Sequence, residues 1–230
     1  MIVRLGLGVG ALWLGYAWVA HLATPLCVHR GPRIAGRRIA LTFDDGPDPE
    51  WTPRVLDTLA AHDARGTFFL VGERAARAGA TVRAITAAGH EVASHGWSHR
   101  SLWLCGPRRT AEEIDRAQAT ITDLSGATPR FFRPPWGMVN AAMFPLLRAR
   151  KLRPVFWSIQ PEGLRPSDGE AQASYVVQRA HPGAIVDLHD AEGTRGAPAR
   201  LVAALPAMIG GLRAAGYELA TVGELLAEAR

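Results

Sequence analysis

From about Arg38 onward, short apolar runs alternate with longer stretches of helical period, and the two kinds of segment take turns to the end of the chain. The runs Ile39 to Phe43, Thr67 to Val71, Glu91 to Ser94, Arg130 to Arg133, Pro154 to Ser158, Ala184 to Leu188 and Tyr217 to Ala220 read as strands. Thr52-Pro53 opens a helix with a side-chain cap and a proline at its first position. A second helix stops near Gly89, and Thr110 with Glu113 has the form of a capping box. Helices near Ala141 to Ala149, Glu170 to Ala180 and Leu201 to Ala215 complete the alternation. Seven β/α units in strict order predict an α/β fold whose parallel sheet closes, or nearly closes, into a barrel. Reactive groups of such a barrel belong at the C-terminal ends of its strands.

A different pattern precedes the barrel. Leu5 to Leu22 carries no acid and no formal base, and its 18 residues would span roughly 27 Å as a helix, close to a bilayer's hydrocarbon thickness. A cleaved signal peptide is the rival reading, but no clean small-x-small cleavage site follows. The expected organisation is therefore a hydrophobic N-terminal helix, anchor or signal, over 1–28, and a catalytic domain over 38–230. Arg30, Arg33, Arg37 and Arg38 follow the segment while only Arg4 precedes it, a flank that taken literally turns the domain to the cytoplasm. The expectation is a membrane-anchored domain facing outward, with the cytoplasmic orientation left open by this flank.

About half of the 230 residues are apolar, enough for one substantial core. The net charge of +5 comes from scattered arginines, with Lys151 the only lysine, so no basic cluster points to nucleic acid. Cys27 and Cys105 are the only cysteines, and neither a metal spacing nor an obligatory disulfide follows from them.

The chemistry gathers at strand ends. Asp44 and Asp45 directly follow the first strand, where successive side chains point to opposite sides and so suit different tasks. Taken alone, Asp-Gly followed by Pro would mark only a turn with solvated acids. His95 and His99 follow the third strand, and a spacing of four sets two imidazoles on one side of a helical turn, a common way to present two nitrogens to a divalent cation, though such a pair alone is more often a surface or core feature. Asp45 would be the third ligand. Arg133 ends the fourth strand and His189 the sixth, so all these groups map to one rim.

Thr42-Phe43-Asp44-Asp45-Gly46-Pro47, His95-x-x-x-His99, Arg133-Pro134-Pro135-Trp136-Gly137 and Leu188-His189-Asp190 resemble the ordered motifs of the NodB-type polysaccharide deacetylases, carbohydrate esterase family 4. The resemblance covers roughly 38–230 and implies an irregular (β/α) barrel of about seven units. It further implies that Asp45, His95 and His99 hold a divalent metal, with Zn²⁺ expected. Asp44 becomes the general base, His189 the general acid, and Arg133 the residue that holds Asp44. Pro135 and the backbone N–H of Trp136 would border the substrate's oxyanion.

The chain departs from the family at its fourth motif, which reads Trp157-Ser158-Ile159-Gln160-Pro161-Glu162-Gly163-Leu164. The aspartate that supports the acid histidine and the tryptophan that walls the acetyl pocket have no counterparts there. Asp187, two residues before His189 on the same strand face, or Glu162 is expected to replace that carboxylate and raise the pKa of His189.

The expected activity is metal-dependent removal of N-linked acetyl groups from amino sugars of a peptidoglycan- or chitin-like envelope glycan. Two other readings stay open: a deacylase of a lipid-linked sugar at the cytoplasmic membrane face, suggested by the arginine flank, and a non-catalytic glycan-binding relic, suggested by the altered fourth motif. Trp97, Trp103 and Trp136 are candidates to stack on sugar rings.

Overall fold

The first strand, β1 (Arg38–Asp44), takes part in three strand pairings in the computed structural model, which describes residues 13–32, 36–162, 168–193 and 195–227. It pairs in parallel with β2 (Thr67–Leu70) and β6 (Ile185–His189), while β7 (Glu218–Ala220) pairs with its first half. Beyond β2 lie β3 (Glu91–Ser94), β4 (Phe131–Phe132) and β5 (Arg153–Pro154), giving the order β5-β4-β3-β2-β1-β6. The connecting helices are α1 (Trp51–Ala61), α2 (Gly72–Arg77), α3 (Gly79–Ala87), α4 (Pro107–Ser125), α5 (Met143–Ala149), α6 (Gly169–Arg179) and α7 (Ala197–Ala214), with α8 (Val222–Ala227) after β7. The predicted β/α alternation is thus the observed one.

Period-two alternation divides the core. Ile39, Leu41 and Phe43 of β1 join Phe68, Leu70, Val186 and Leu188 in the layer beneath the helices. Ala40, Phe69, Ala93, Phe131 and Ile185 fill the inside of the curl with Val155, Val222 and Leu225. By the same period, Thr42 and Asp44 on β1, and Asp187 and His189 on β6, fall on the inner face. The register sets Thr42 opposite Asp187 and Asp44 opposite His189.

The curl is irregular where β5 meets β6. The expected strand over Pro154 to Ser158 is regular only at Arg153–Pro154, and the chain beyond it touches β6 through a single bridge, Ile159 to Val186. Residues 28–31 enter this seam. Val28 bridges Val155 and Arg30 bridges Ala184, with Gly31 N–H donating to Gly183 O at 2.7 Å. The sheet is therefore a curled half-barrel completed by single bridges.

The expected membrane anchor is not upheld. Among the described residues no helix is long and apolar enough to cross a membrane, and residues 5–12 of the expected span lie outside the described residues. The segment is α-helical over 13–17 and then passes into a 3₁₀ helix, Val19–Leu26, which contains Pro25. Ala17 and Ala20 are buried, and Tyr16 O accepts a hydrogen bond from Ala141 N–H. Two arginines of the flank read as an orientation signal are engaged in the fold: Arg37 donates to Ala215 O and stacks on Tyr217, and Arg38 pairs with Glu218, while Arg33 lies outside the described residues. The membrane location inferred from that segment and flank falls with it.

Two helix starts also differ from expectation. At α1, Asp48 Oδ1 accepts from the N–H groups of Glu50 and Trp51, while Thr52 lies inside the helix and donates to Asp190. At α4, the helix begins at Pro107, three residues before Thr110, and Glu113 turns away from the helix start toward the loop after β3. At α1 the local cap passes to Asp48, and at α4 a tertiary partner takes the Glu113 carboxylate.

Candidate active site

β1 delivers Asp44 to the rim as its last residue, and Asp45 then departs from strand geometry with φ 72°. The sequence expectation was that adjacent carboxylates point to opposite sides. The left-handed backbone at Asp45 folds its side chain back, so both carboxylates line one cleft of about 190 Å³. His99 (φ 55°) and Trp136 (φ 61°) also adopt this region, so three of the five described non-glycine residues with positive φ belong to the site. Backbone held in such conformations needs surroundings that over-determine it.

Those surroundings are visible. Arg74 donates to Asp45 O at 2.8 Å and to Glu192 O at 2.9 Å, clamping the turn to the loop after β6. Gly193 of that loop lies against the Asp45 carboxylate so closely that a Cβ there would come within 1.7 Å of Oδ2. His95 and His99 do not share a helical turn. They converge across a loop in which Gly96 has φ 78°, held by the Glu113 carboxylate. Glu113 is 1% exposed and accepts from Trp97 N–H (3.0 Å), Ser98 N–H (2.8 Å) and the Ser98 hydroxyl (2.8 Å), with Arg109 compensating its charge at 2.7 Å. Sequence reading assigned Glu113 to a cap and missed this role. The signal available was a carboxylate on the apolar face of an otherwise amphipathic helix.

Asp45, His95 and His99 offer ligand atoms that all lie within 4.8 Å of one another. His99 Nε2 is 2.7 Å and His95 Nε2 3.5 Å from Asp45 Oδ1. His95 Nδ1 is 2.8 Å from Arg133 O, which can only accept, so Nδ1 donates there and Nε2 is the ring nitrogen that faces the carboxylates. Burial works against ionisation of Asp45, but the bonds and charges of His95 and His99 outweigh it and hold the carboxyl well below its ordinary range. Two imidazoles and an ionised carboxylate suit a divalent cation.

Arg133 is fully buried and each of its three nitrogens has a partner. Nη1 donates to Asp44 Oδ1 (2.6 Å), Thr42 Oγ1 (2.9 Å) and Asp187 Oδ1 (3.0 Å), and Nε and Nη2 donate to Val155 O and Phe156 O. A buried cation so fully partnered fixes whatever it touches. Burial raises the Asp44 carboxyl well above its usual range; Arg133 opposes that shift and Asp187 adds to it.

Both carboxylates proposed from the sequence as partners of His189 are near it, in different ways. Glu162 Oε2 lies 2.6 Å from His189 Nδ1, an ion pair by distance that is off hydrogen-bond alignment. Asp187 binds Arg133 and acts on His189 through charge. Burial lowers the imidazole pKa, but Asp187, Glu162 and Asp44 together push it up to about 10.

Trp136 is 56% exposed beside His99, with ring centroids 5.1 Å apart. Pro134 lines the cleft, whereas Pro135, expected there, does not. Trp97 packs beneath Arg116 and Trp103 donates to His21, so of the three tryptophans considered for sugar stacking only Trp136 borders the cleft. Trp157, at the head of the altered fourth motif, lines the cleft with Gln160 and Glu162.

A family profile described as polysaccharide deacetylase matches residues 33–155, more than half of the chain. The chain belongs to the polysaccharide deacetylase family. The match includes Asp44, Asp45, His95, His99, Arg133 and Trp136 and ends before Glu162, Asp187 and His189. A peptidoglycan-N-acetylglucosamine deacetylase, PgdA of Listeria monocytogenes, is 34% identical over 192 residues, which are 84% of this chain and 39% of that protein. The chain thus spans well under half the length of this relative. Among solved structures, the Bc1960 peptidoglycan N-acetylglucosamine deacetylase, bound to a naphthyl N-hydroxybenzamide, superposes with a TM-score of 0.81 at 28% identity, covering 86% of this chain and 92% of that one. A family 4 acetyl xylan esterase from Clostridium thermocellum, in complex with a cobalt ion, superposes with a TM-score of 0.73 at 33% identity, covering 81% and 89%.

Proposed function

We propose that this chain is a metal-dependent hydrolase that removes acetyl groups from the nitrogen of amino sugars in a cell-envelope glycan, with the deacetylase domain over 38–230. The observation that carries the reading is the pairing of an arginine-held carboxylate, Asp44, with a carboxylate-backed imidazole, His189, in register on β1 and β6 beside the Asp45–His95–His99 cluster. Family membership and the peptidoglycan deacetylases it resembles support the substrate class.

Each residue then has a stated task. A divalent ion held by Asp45, His95 and His99, Zn²⁺ in this reading, would supply the Lewis acidity that an unreactive amide carbonyl needs. Asp44 Oδ1 is committed to Arg133, leaving Oδ2, on the side of His95, to take a proton from the attacking water. The Trp136 N–H would donate to the developing oxyanion. His189 Nδ1 faces Glu162, so Nε2 is the atom that delivers a proton to the departing amine. With its pKa near 10 the imidazole is protonated at neutral pH, as an acid must be.

The test is acetate release by the full chain from chitooligosaccharides and peptidoglycan fragments, before and after chelation and Zn²⁺ readdition. We expect release that depends on metal and falls at least 100-fold in Asp44→Asn, the loss characteristic of removing a general base. Undiminished release in Asp44→Asn, or release untouched by chelation, would overturn the assignment.

A further inference from the structure

Residues 13–31 precede the family match at residue 33, yet they are built into the half-barrel from rim to seam. At the rim, the contacts go to the two loops that follow the site motifs. His21 Nε2 accepts from the Trp103 indole N–H at 2.8 Å and lies 3.5 Å from Val139 N. The His21 and Trp103 rings meet edge to face at 5.3 Å. Tyr16 spans the same two loops, its hydroxyl donating to Cys105 O at 3.2 Å and its carbonyl accepting from Ala141 N–H at 2.9 Å.

These loops are not remote from the chemistry. Trp103 lies four residues beyond His99, and Val139 three beyond Trp136. The buried Asn140 ties the loops to each other by donating to Leu102 O (2.7 Å) and Cys105 O (3.1 Å). Ala20 and Cys27 of the arm share one apolar cluster with Leu102, Cys105, Val139 and Met143. The left-handed backbones of His99 and Trp136 need bracing, and the arm's contacts fall on the loops that carry them, from outside the region the family profile matches.

We propose that residues 13–31 are a working part of the catalytic domain and that His21 is a positioning residue for the loops carrying His99 and Trp136. The inference rests on the proposed function for what those loops do. Through His21 the arm would set metal affinity and reaction rate without touching metal or substrate.

The experiment uses the full chain in four forms besides the native one: His21→Ala, His21→Gln, Trp103→Phe and Asp45→Asn. Two readouts are taken: amide hydrogen exchange at 137–141 without added metal, and Co²⁺ titration followed by its visible absorption. We expect His21→Ala and Trp103→Phe to speed exchange at Val139 and Ala141 and to weaken Co²⁺ binding by about tenfold or more, the usual effect of losing a residue that orients a ligand. His21→Gln should recover much of both, because its amide oxygen can accept from the Trp103 indole. It also keeps the test open if His21→Ala folds poorly. Native exchange and native Co²⁺ affinity in Trp103→Phe and His21→Ala would overturn the brace. Retained Co²⁺ binding in Asp45→Asn would overturn the metal reading alone, and amide exchange would then judge the brace by itself.

Discussion

Glu162 and Asp187 divide between them a task that the sequence could only offer to either. Glu162 approaches His189 directly, and Asp187 reaches it by charge while also binding Arg133. The consequence for pH follows from the sign of the shift. A raised folded pKa keeps His189 protonated, and hence active as an acid, until pH climbs toward 10; lowering that pKa brings the loss of activity to lower pH. Glu162→Gln should therefore move the alkaline limb of the kcat/KM profile down by about one unit or more. Asp187→Asn should move it the same way and also lower kcat, since Arg133 loses a partner. A limb unmoved in both variants would show that neither carboxylate sets the acid. By the same linkage, the ionised partners stabilise the fold below the unfolded histidine pKa near 6.5, and that stability fades as pH rises toward 10.

At the scale of elements, α4 acts as a strut for the loop after β3. Glu113 spends both carboxylate oxygens on that loop and on Arg109. Replacing it with Gln, similar in size but neutral, should weaken metal binding about 10–100-fold by isothermal titration, while circular dichroism of the helices stays native. Unchanged affinity would mean that Gly96 and the ligands alone shape the loop. Element types were legible in the sequence because strand and helix periods are local. The capping assignments at Thr52 and Thr110 were not, because each rested on neighbours within four residues. Thr52 binds Asp190, 138 residues away, and Glu113 reaches back 15 and 16 residues to Ser98 and Trp97.

For the whole molecule, stability resides mainly in the layer between sheet and helices. Phe68 is fully buried there, stacked on Phe43 with ring centroids 4.7 Å apart. Phe68→Ala should cost about 3–5 kcal/mol. For a domain of this size that is a fall of roughly 6–20 °C in melting temperature by calorimetry. Leu26, 87% exposed, should change stability by under about 0.5 kcal/mol when replaced by Ala. A small effect at Phe68 would shift the main core to another layer.

The order of apolar and helical segments determined the parallel α/β architecture, and the strand ends determined which residues could meet at the rim. Asp44, Arg133 and His189 were legible because period-two alternation and the barrel's geometry confine them to one inner edge. Tertiary structure alone decided that Asp45 folds back beside Asp44, that Glu162 faces His189 while Asp187 binds Arg133, and that Glu113 holds the loop of His95 and His99. It also turned the second half of an apparent membrane span into an arm packed on the domain. The reason is one of range: hydropathy and spacing report what a segment buries, whereas its partner is chosen by elements that only the folded chain brings together.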